Sequence, residues 1–250
     1  MIKKILIMFV AIMLSASSVS AKISGNKFIN SVKTATPDQI VEMLGNGADI
    51  NTKGRKGITP LMSALEANNI PAIKLILDNG PDINAADNNG KTVLMYALEY
   101  GTDYRILEKI IDLGADLNKT ETKFGNTPLI YIAELRKNEN QRNKNLLPLF
   151  AKILIKKGAD LDIENFAGQT FLSVASYYYD GYMLTYIYEG ETKNNIRKQL
   201  GVPDKIFRYT ETYEDWTYVF KQSTKDKSRF ESWNLVFVLD NNIVTEVKTK

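Results

Sequence analysis

The sequence of 250 residues contains no cysteine and no histidine. Without cysteine there can be no disulfide, no thiolate nucleophile and no thiolate zinc site, and we expect no lipid anchor attached through a cysteine. Without histidine there can be no imidazole metal ligand and no catalytic triad that uses histidine as its base. We therefore expect no cofactor and no metal, and a fold that is stabilised by packing without covalent cross-links.

Strong charge and long apolar runs are also missing. The formal net charge is +3, which is too small to indicate binding to nucleic acid or to an anionic membrane. Lys3 and Lys4 precede ten apolar residues from Ile5 to Leu14, and small residues follow as far as Ala21. Because this run is too short to span about 30 Å of hydrocarbon, we interpret residues 1–21 as a cleaved signal peptide and not as a membrane anchor. We then expect a soluble protein without a membrane span, in the periplasm or outside the cell.

Two short strings recur along the rest of the chain. The first is a Gly-Ala-Asp type string, at residues 47–51, 80–84, 114–118 and 158–162. The second is Gly-x-Thr followed by Pro-Leu or a variant of it, beginning at Gly57, Gly90, Gly125 and Gly168. Starting points of the second string are separated by 33, 35 and 43 residues, and the first string keeps the same steps to within one residue. A period close to 33 residues indicates a repeat architecture.

Local chemistry predicts two helices in each repeat. Thr59 and Thr127 are predicted N-caps, and Pro60 and Pro128 follow at the first helical position, where a missing N–H costs nothing. The glycine that opens each Gly-Ala-Asp string suits the left-handed residue that ends the second helix. Each second helix carries an apolar stripe at i, i+3 and i+4, and successive stripes are Ile40, Met43 and Leu44; Ile73, Ile76 and Leu77; Leu107, Ile110 and Ile111; and Ala151, Leu154 and Ile155. Because one helix pair cannot bury its stripe alone, neighbouring repeats must stack.

These strings and their spacing resemble the ankyrin repeat over residues 22–188. The resemblance implies an α solenoid of about four helix-turn-helix repeats with hairpin loops, preceded by a capping half-repeat at about residues 26–51. It also implies that a protein partner binds to the concave face of the first helices and to the hairpin tips. Carried over position by position, the partner-binding residues are Ser63, Glu66, Tyr96, Glu99, Tyr100, Tyr131, Glu134, Tyr177 and Tyr178, with Ala67 and Val174 on the same face.

Five of these positions hold tyrosine, a large and rigid side chain with a polar tip that is enriched at binding hot spots. The alternative is that the rings pack between adjacent repeats, and the sequence leaves both interpretations open. Further candidate contacts are the hairpin tips near Arg55, Asn88, Lys123 and Asn165.

The third repeat is longer than the others by ten residues, at 136–145. This insertion carries four basic residues and one acidic residue. It is either an extended loop that contacts a partner or a solvated extension of two helices with a polar tip. We favour the second interpretation, because a charged run is most often a solvated surface.

The pattern changes after residue 188. Residues 190–204 predict a helix that begins at Thr192, buries Ile196 and Leu200, and ends at Gly201. Alternating apolar residues then predict strands around 215–221 and 233–240, followed by a turn and a last strand.

This C-terminal set resembles the SmpA/OmlA (BamE-like) family of small envelope domains, through Gly190, Thr192, Leu200, Gly201, Pro203, Asp204, Trp216 and Tyr218. The resemblance implies a small α+β domain with an exposed antiparallel sheet over residues 189–250. Members of the family are outer-membrane lipoproteins of β-barrel assembly, and related folds inhibit β-lactamases. Because this chain lacks the lipidated cysteine, we do not expect the same anchoring. The domain can bind a partner, cap the last repeat, or do both.

Few residues suggest catalysis. Asp160, Asp162 and Glu164 resemble the start of a calcium loop, but Asn165 and Phe171 occupy the positions that need glycine and glutamate. The sequence contains no phosphate-binding glycine loop and no nucleophile elbow. We therefore expect no catalytic residues and no enzyme activity.

The leading hypothesis is an exported, non-enzymatic protein that binds a protein partner of unknown identity through the ankyrin concave face and the hairpin tips. We expect a monomer that binds no nucleic acid. One alternative is an inhibitor or immunity protein of an envelope enzyme or toxin. The other alternative is a structural or assembly factor of the envelope.

Overall fold

A computed structural model describes residues 23–101, 103–135, 145–179, 182–208, 213–223, 230–240 and 243–249. The predicted signal peptide at 1–21 lies outside these residues, and so does the predicted insertion at 136–145 apart from Asn145. The chain forms two compact units, Met1–Asp116 and Leu117–Lys250. The boundary expected between residues 188 and 189 stays a prediction.

The first unit is built from pairs of helices. Its described helices are α1 (Gly25–Ser31), α2 (Pro37–Gly45), α3 (Pro60–Glu66), α4 (Ile70–Asp78), α5 (Val93–Tyr100) and α6 (Tyr104–Asp112), with a 3-10 turn at Arg55–Gly57. Two separate caps, Ser24 and Thr36, start α1 and α2. The segment expected to be a capping half-repeat therefore contains a complete helix pair.

The predicted threonine caps are confirmed. Thr59 Oγ1 accepts a hydrogen bond from the Met62 backbone N–H, and Thr127 Oγ1 accepts one from the Ile130 N–H, both at 3.3 Å. Thr92 caps α5 in the same way. Because one such cap stabilises a helix by about 1 kcal/mol, the recurring threonine fixes where the first helix of each repeat begins.

The predicted apolar stripes of α4 and α6 are buried, whereas Met43 and Leu44 in the first stripe and Ile155 in the last are only partly buried. Ile73 and Ile76 of α4 are fully buried, as are Leu107 and Ile110 of α6. Full burial of one such side chain contributes about 2 kcal/mol relative to exposure. Among the residues of α2, only Ile40 is fully buried, because α2 belongs to the first described repeat and has a following repeat but no described preceding one.

The last residue of the Gly-Ala-Asp string explains why the string recurs. Each final asparagine accepts a hydrogen bond from the backbone N–H of the aspartate in the next string. The three acceptor–donor pairs are Asn51–Asp82 at 2.8 Å, Asn84–Asp116 at 2.7 Å and Asn118–Asp160 at 2.9 Å. We call Asn51, Asn84 and Asn118 the asparagine ladder. It joins successive hairpins, so its residues recur because the repeats recur.

Successive hairpins also approach each other closely at Gly57. This residue has a φ of 75°, and the Asn88 backbone N–H donates to the neighbouring Lys56 carbonyl at 2.8 Å. A Cβ atom at Gly57 would lie 2.6 Å from Asn88 Oδ1 and 2.9 Å from its backbone nitrogen. Glycine is required here for two reasons, the left-handed backbone and the short distance between hairpins.

The second unit contains helices and a sheet. Its described helices are α7 (Pro128–Leu135), α8 (Leu147–Lys156), α9 (Phe171–Tyr179), α10 (Tyr182–Tyr188) and α11 (Lys193–Leu200). Its strands are β1 (Lys205–Arg208), β2 (Tyr213–Ser223), β3 (Phe230–Asp240) and β4 (Ile243–Thr249), in an antiparallel sheet of that order. The predicted C-terminal helix and strands are confirmed, and Ile196 is buried as expected, although Leu200 is only partly buried. Thr192 caps α11 by accepting from the Asn195 N–H, and Gly201 ends it with a φ of 80°.

One face of the sheet carries an aromatic core. Trp216 lies opposite Phe237 in the register of β2 and β3, and both side chains are fully buried. Tyr188 of α10 packs edge-on against Phe237 with ring centroids 5.1 Å apart, and Tyr218 does so at 5.7 Å. Such pairs contribute about 1 kcal/mol beyond their buried area. Helix α10 therefore packs onto the aromatic face of the sheet through Tyr188.

The other face of the sheet is also buried at its centre, which corrects the expectation of an exposed sheet. Val236 and Val238 point away from Phe237 and Leu239, because side chains alternate along a strand. They are nevertheless only 4 % and 2 % exposed. A strand that is buried on both faces has a continuous apolar run, as residues 235–239 do.

The outer edge of β4 is covered by the chain that precedes the sheet. Thr185 Oγ1 donates to the Val247 carbonyl at 3.1 Å and accepts from the Val247 N–H at 3.3 Å. Nearby, the Gly190 N–H donates to the Val244 carbonyl, and the Val244 N–H donates to the Glu191 carbonyl, each at 2.9 Å. These bonds occupy backbone groups that would otherwise pair with another strand.

Candidate protein-binding surfaces

Three predicted contact residues of α5 form a cluster around Lys91. The rings of Tyr96 and Tyr100 are stacked, with centroids 5.9 Å apart and an interplanar angle of 27°. Lys91 Nζ lies 4.0 Å from the centroid of Tyr96 and 5.0 Å from that of Tyr100, and it forms an ion pair with Glu99. We call Lys91, Tyr96, Glu99 and Tyr100 the tyrosine cluster. Its side chains hold one another in place.

Both phenols of the cluster stay protonated at neutral pH. Tyr96 donates its hydroxyl to Asp87 Oδ2 at 3.0 Å. Burial raises the pKa of Tyr96 far above its ordinary value, and the Asp87 carboxylate adds to the increase. Burial, together with the carboxylates of Glu99 and Glu66, raises the pKa of Tyr100 to about 12. The cluster therefore carries neutral hydroxyl groups next to a fixed cation.

The two tyrosines of the cluster differ in what a partner can reach. Tyr96 is only 5 % exposed and directs its hydroxyl toward Asp87, so its role is packing. Tyr100 and Glu99 are partly exposed. The accessible part of the cluster is therefore Tyr100 with Glu99, supported by Tyr96 and Lys91.

The predicted positions in α3 have different environments. Ser63 is fully buried, and its hydroxyl donates to the Ile29 carbonyl at 2.7 Å. It links α3 to α1 and presents nothing to a partner. Glu66 forms an ion pair with Lys33 at 2.8 Å, and each side chain is 43 % exposed. Such an exposed pair contributes less than about 1 kcal/mol, so either side chain can change partners at small cost.

The remaining predicted positions lie in the second unit. Tyr131 and Glu134 of α7 are partly exposed. Val174 of α9 is fully buried and therefore unavailable to a partner. The side chains of Tyr177 and Tyr178 lie outside the described residues, although their backbone belongs to α9. Partner binding at these tyrosines stays a prediction.

One predicted hairpin tip proves to be internal. Asn165 is buried, with Nδ2 donating to Asn126 Oδ1 at 2.9 Å and Oδ1 accepting from the Gln169 backbone N–H at 3.0 Å. Its carboxamide thus bonds to its own hairpin through Gln169 and to the preceding hairpin through Asn126, and it does not reach the surface. The other three predicted tip residues are exposed, namely Arg55, Asn88 and Lys123.

Two exposed aromatic residues at hairpin tips were missed by the sequence analysis. Phe124 is 54 % exposed and Phe166 is 74 % exposed. The Phe166 N–H donates to the Phe124 carbonyl at 2.9 Å, which places the two residues side by side on successive hairpins. A Cβ atom at Gly125 would lie 2.6 Å from the ring of Phe166, so that ring rests directly on the Gly125 backbone. We call Phe124 and Phe166 the phenylalanine pair.

A sequence signal for this pair exists. Phe124 stands one residue and Phe166 two residues before the glycine of the Gly-x-Thr string, where the two earlier repeats have the pairs Arg55-Lys56 and Asn88-Asn89. Single exposed apolar side chains are common on protein surfaces, but two large ones side by side on successive hairpin tips leave a combined apolar area in water.

A buried carboxylate connects α11 to the sheet. Glu214 of β2 forms ion pairs with Lys193 and with Arg208, the latter at 3.1 Å. Desolvation opposes ionisation of Glu214, but the hydrogen bonds from Lys193 and Arg208 outweigh it and hold the pKa below its ordinary value. Lys193 and Arg197 also lie 4.9 Å and 4.6 Å from the ring of Trp216. These contacts of Lys193 and Arg197 with Glu214 and Trp216 hold α11 on the aromatic face of the sheet.

Over the described ranges, no group of three or more acidic side chains is arranged to hold a metal ion. None of the helices in that part of the chain has the length and apolar character needed to cross a membrane.

Part of the chain matches a known protein family. The family model for ankyrin repeats (3 copies) matches residues 29–121. Ankyrin repeats are generally protein–protein interaction modules, and the family is typically non-enzymatic. A comparison with curated proteins gives no match. The resemblance of residues 189–250 to the SmpA/OmlA family is not confirmed by a family match and stays a prediction. Residues 29–121, which include the tyrosine cluster, are therefore ankyrin repeats.

Proposed function

We propose that this is an exported, non-enzymatic protein that binds another protein through surfaces on its repeats. The observation that carries the proposal is the phenylalanine pair, with two large apolar side chains 54 % and 74 % exposed on neighbouring hairpins. Each ring that a partner covers would contribute about 2 kcal/mol from the removal of apolar surface from water.

The pair is also rigid, which favours binding. The backbone hydrogen bond between Phe166 and Phe124 fixes the backbone of both residues, and the contact with Gly125 restricts the ring of Phe166. A side chain that is already ordered loses little conformational entropy when a partner covers it. Lys123 Nζ lies 4.7 Å from the ring centroid of Phe124 and supplies an exposed cation beside the apolar surface.

The tyrosine cluster supplies a second surface of the same kind. Lys91 holds the stacked rings of Tyr96 and Tyr100 from one side, and Glu99 pairs with that cation. Tyr100 offers a partly exposed ring with a neutral hydroxyl group, a combination that is common at binding hot spots.

Capture from an envelope extract by the immobilised protein tests the proposal. Phe124→Ser together with Phe166→Ser should weaken the captured complex by about a thousandfold, since the variant loses two rings that each contribute about 2 kcal/mol. Tyr100→Ala tests the second surface without removing the buried Tyr96. Val202→Ser is the matched control, because Val202 is an apolar side chain that is 79 % exposed and lies outside the repeats.

Other outcomes of the capture experiment would favour other functions. Retention of the partner by both variants would overturn binding through the repeats and would direct attention to the C-terminal domain. A tight one-to-one complex with a hydrolase or toxin would favour an inhibitor or immunity protein. Co-fractionation with outer-membrane barrels would favour a structural or assembly factor.

Export rests on the sequence of residues 1–21, with two lysines, a short apolar run and small residues that end at Ala21. We infer cleavage after Ala21 and a location in the periplasm or outside the cell. Mass spectrometry of protein recovered from each cell fraction tests this inference. A chain that begins at Met1 and stays in the cytoplasm would overturn it.

A further inference from the structure

A cavity of about 410 Å³ lies in the first unit, beside α1 and the segment that leads into α3. Asn26 and Asn30 line it from α1, and Arg55 lines it from the 3-10 turn. Its apolar lining comes from Ile29 and Ile58. The volume falls within the usual range for small binding pockets, which is about 300 to 1,000 Å³.

The polar side chains of this cavity are available. Asn26, Asn30 and Arg55 are exposed, and none of them has a side-chain hydrogen bond or ion pair among the described residues. Lys33 and Glu66 also line the cavity, and they pair with each other. Because their charges cancel, the lining has a net charge of +1, which comes from Arg55.

The spacing of the two asparagines matches an extended chain. Residues four apart on a helix are neighbours on one face, about 6 Å apart along its axis. Alternate residues of an extended peptide are separated by about 6.6 Å and present their backbone groups in the same direction. Each carboxamide offers both a donor and an acceptor, so Asn26 and Asn30 can pair with two such backbone positions.

We propose that this cavity binds an extended segment of the protein partner that carries an acidic side chain. Asn26 and Asn30 bind its main chain, Ile29 and Ile58 contact its apolar atoms, and the guanidinium of Arg55 binds the aspartate or glutamate carboxylate. Arginine suits this role because its planar group binds a carboxylate through two parallel hydrogen bonds. The inference rests on the proposed function and identifies the chemistry of one part of the partner.

Short peptides test the inference directly. We would titrate the ¹⁵N-labelled protein with serine–alanine peptides that differ only in a central glutamate, glutamine or lysine. The glutamate peptide should shift the side-chain amide signals of Asn26 and Asn30 and should bind about tenfold more tightly than the glutamine peptide, as one charged hydrogen bond implies. Equal binding of the glutamate and glutamine peptides, or no shift with any peptide, would overturn the proposal.

Variants separate the two roles. Arg55→Gln should remove the preference for glutamate, whereas Asn26→Ala with Asn30→Ala should weaken binding of both peptides alike. Lys74→Gln is the control, because Lys74 is an exposed cation that does not line the cavity. If Lys74→Gln had the same effect as Arg55→Gln, attraction would be a matter of overall charge and the cavity would not be the site. The amide spectrum of each variant shows whether it is folded.

Failure of this inference can be distinguished from failure of the proposed function. Suppose that the captured partner is released by the serine variants of the phenylalanine pair but binds Arg55→Gln with unchanged affinity. The protein then binds a partner through its repeats, and the cavity takes no part. If Arg55→Gln and the double asparagine variant both weaken that complex about tenfold, the acidic segment belongs to the partner.

Discussion

Asn84 Oδ1 lies 2.7 Å from the backbone nitrogen of Asp116, a residue 32 positions further along the chain. The same side chain donates through Nδ2 to the Gly114 carbonyl at 3.0 Å. One carboxamide thus satisfies a donor and an acceptor of the next hairpin. Without this side chain, the two backbone groups would have to form hydrogen bonds with water, or the fold would be less stable.

Replacement of this ladder residue should destabilise the repeats. Asn84→Ala removes the bonds to Asp116 and Gly114, and we expect the free energy of unfolding to decrease by about 1 to 2 kcal/mol. Urea unfolding followed by circular dichroism measures the change. Asn89→Ala is the control, since Asn89 is an exposed asparagine of the following turn and has no side-chain hydrogen bond among the described residues. Equal midpoints for the two variants would contradict a stabilising role of the ladder.

A glycine pair separates two effects of a Cβ atom. Gly57 and Gly47 have φ values of 75° and 82°, so alanine at either position incurs left-handed strain of about 1 kcal/mol. Only the Cβ of Gly57→Ala would meet Asn88, whereas nothing lies within 4 Å of a Cβ at Gly47. We therefore expect Gly57→Ala to lower the unfolding free energy by about 1 kcal/mol more than Gly47→Ala. Identical losses would mean that the hairpins separate without cost.

A buried charge in the middle of the repeats should unfold them locally. Leu94 of α5 is 1 % exposed, and Leu94→Asp should lower the unfolding free energy by about 4 kcal/mol, because the carboxylate would have no compensating partner. Because repeats contact only their neighbours, hydrogen exchange should increase first in α5 and the thermal transition should broaden.

The matched substitution is Leu113→Asp, at a leucine that is 46 % exposed after α6. It should change stability by less than about 0.5 kcal/mol. A sharp, unshifted transition for Leu94→Asp would show that this repeat does not contribute to the stack.

The stability of the C-terminal sheet should depend on acid through Glu214. Its folded-state pKa is lowered, so its ion pairs stabilise the fold above the unfolded-state pKa of about 4.3 and lose that effect as the pH falls through the lower folded value. Glu214→Gln should therefore cost about 2 kcal/mol at neutral pH and progressively less below pH 4 or so. Urea unfolding of the protein and the variant, at neutral pH and in the acid range, measures the difference in unfolding free energy.

The control for this pH effect is Glu246→Gln in β4. Glu246 pairs with Lys248, but its side chain is 51 % exposed, so solvent screens the interaction at every pH. If both substitutions showed the same pH dependence, the effect would come from net charge and not from burial of Glu214.

Most of the repeat fold can be predicted from the sequence, because its signals are local. Thr59 and Thr127 cap the helices as expected, and the stripe at Ile73 and Ile76 is buried. The C-terminal strands follow from their alternation, but burial of both faces does not. The unbroken apolar run at 235–239 was the signal for it.

The candidate surfaces are harder to predict. The position of a residue within a repeat predicts which face of the helix it occupies, but not which side chains lie next to it. Tyr96 occupies an expected contact position, yet its hydroxyl donates a hydrogen bond to Asp87 of the preceding hairpin. Asn165 was expected at a tip, yet it bonds inward to Asn126 while Phe166 takes the exposed position. These outcomes depend on which side chain of an adjacent loop comes within hydrogen-bonding distance.

Each hydrogen bond of the asparagine ladder joins two successive hairpins, whatever the number of residues that separates them in the chain. Asn118 reaches Asp160 at 2.9 Å across 42 residues, whereas Asn51 reaches Asp82 at 2.8 Å across 31. The added length falls between α7 and α8, at residues 136–145. The distance between successive hairpins is therefore independent of the number of residues that connect them, since the same hydrogen bond forms across 31 and across 42 residues.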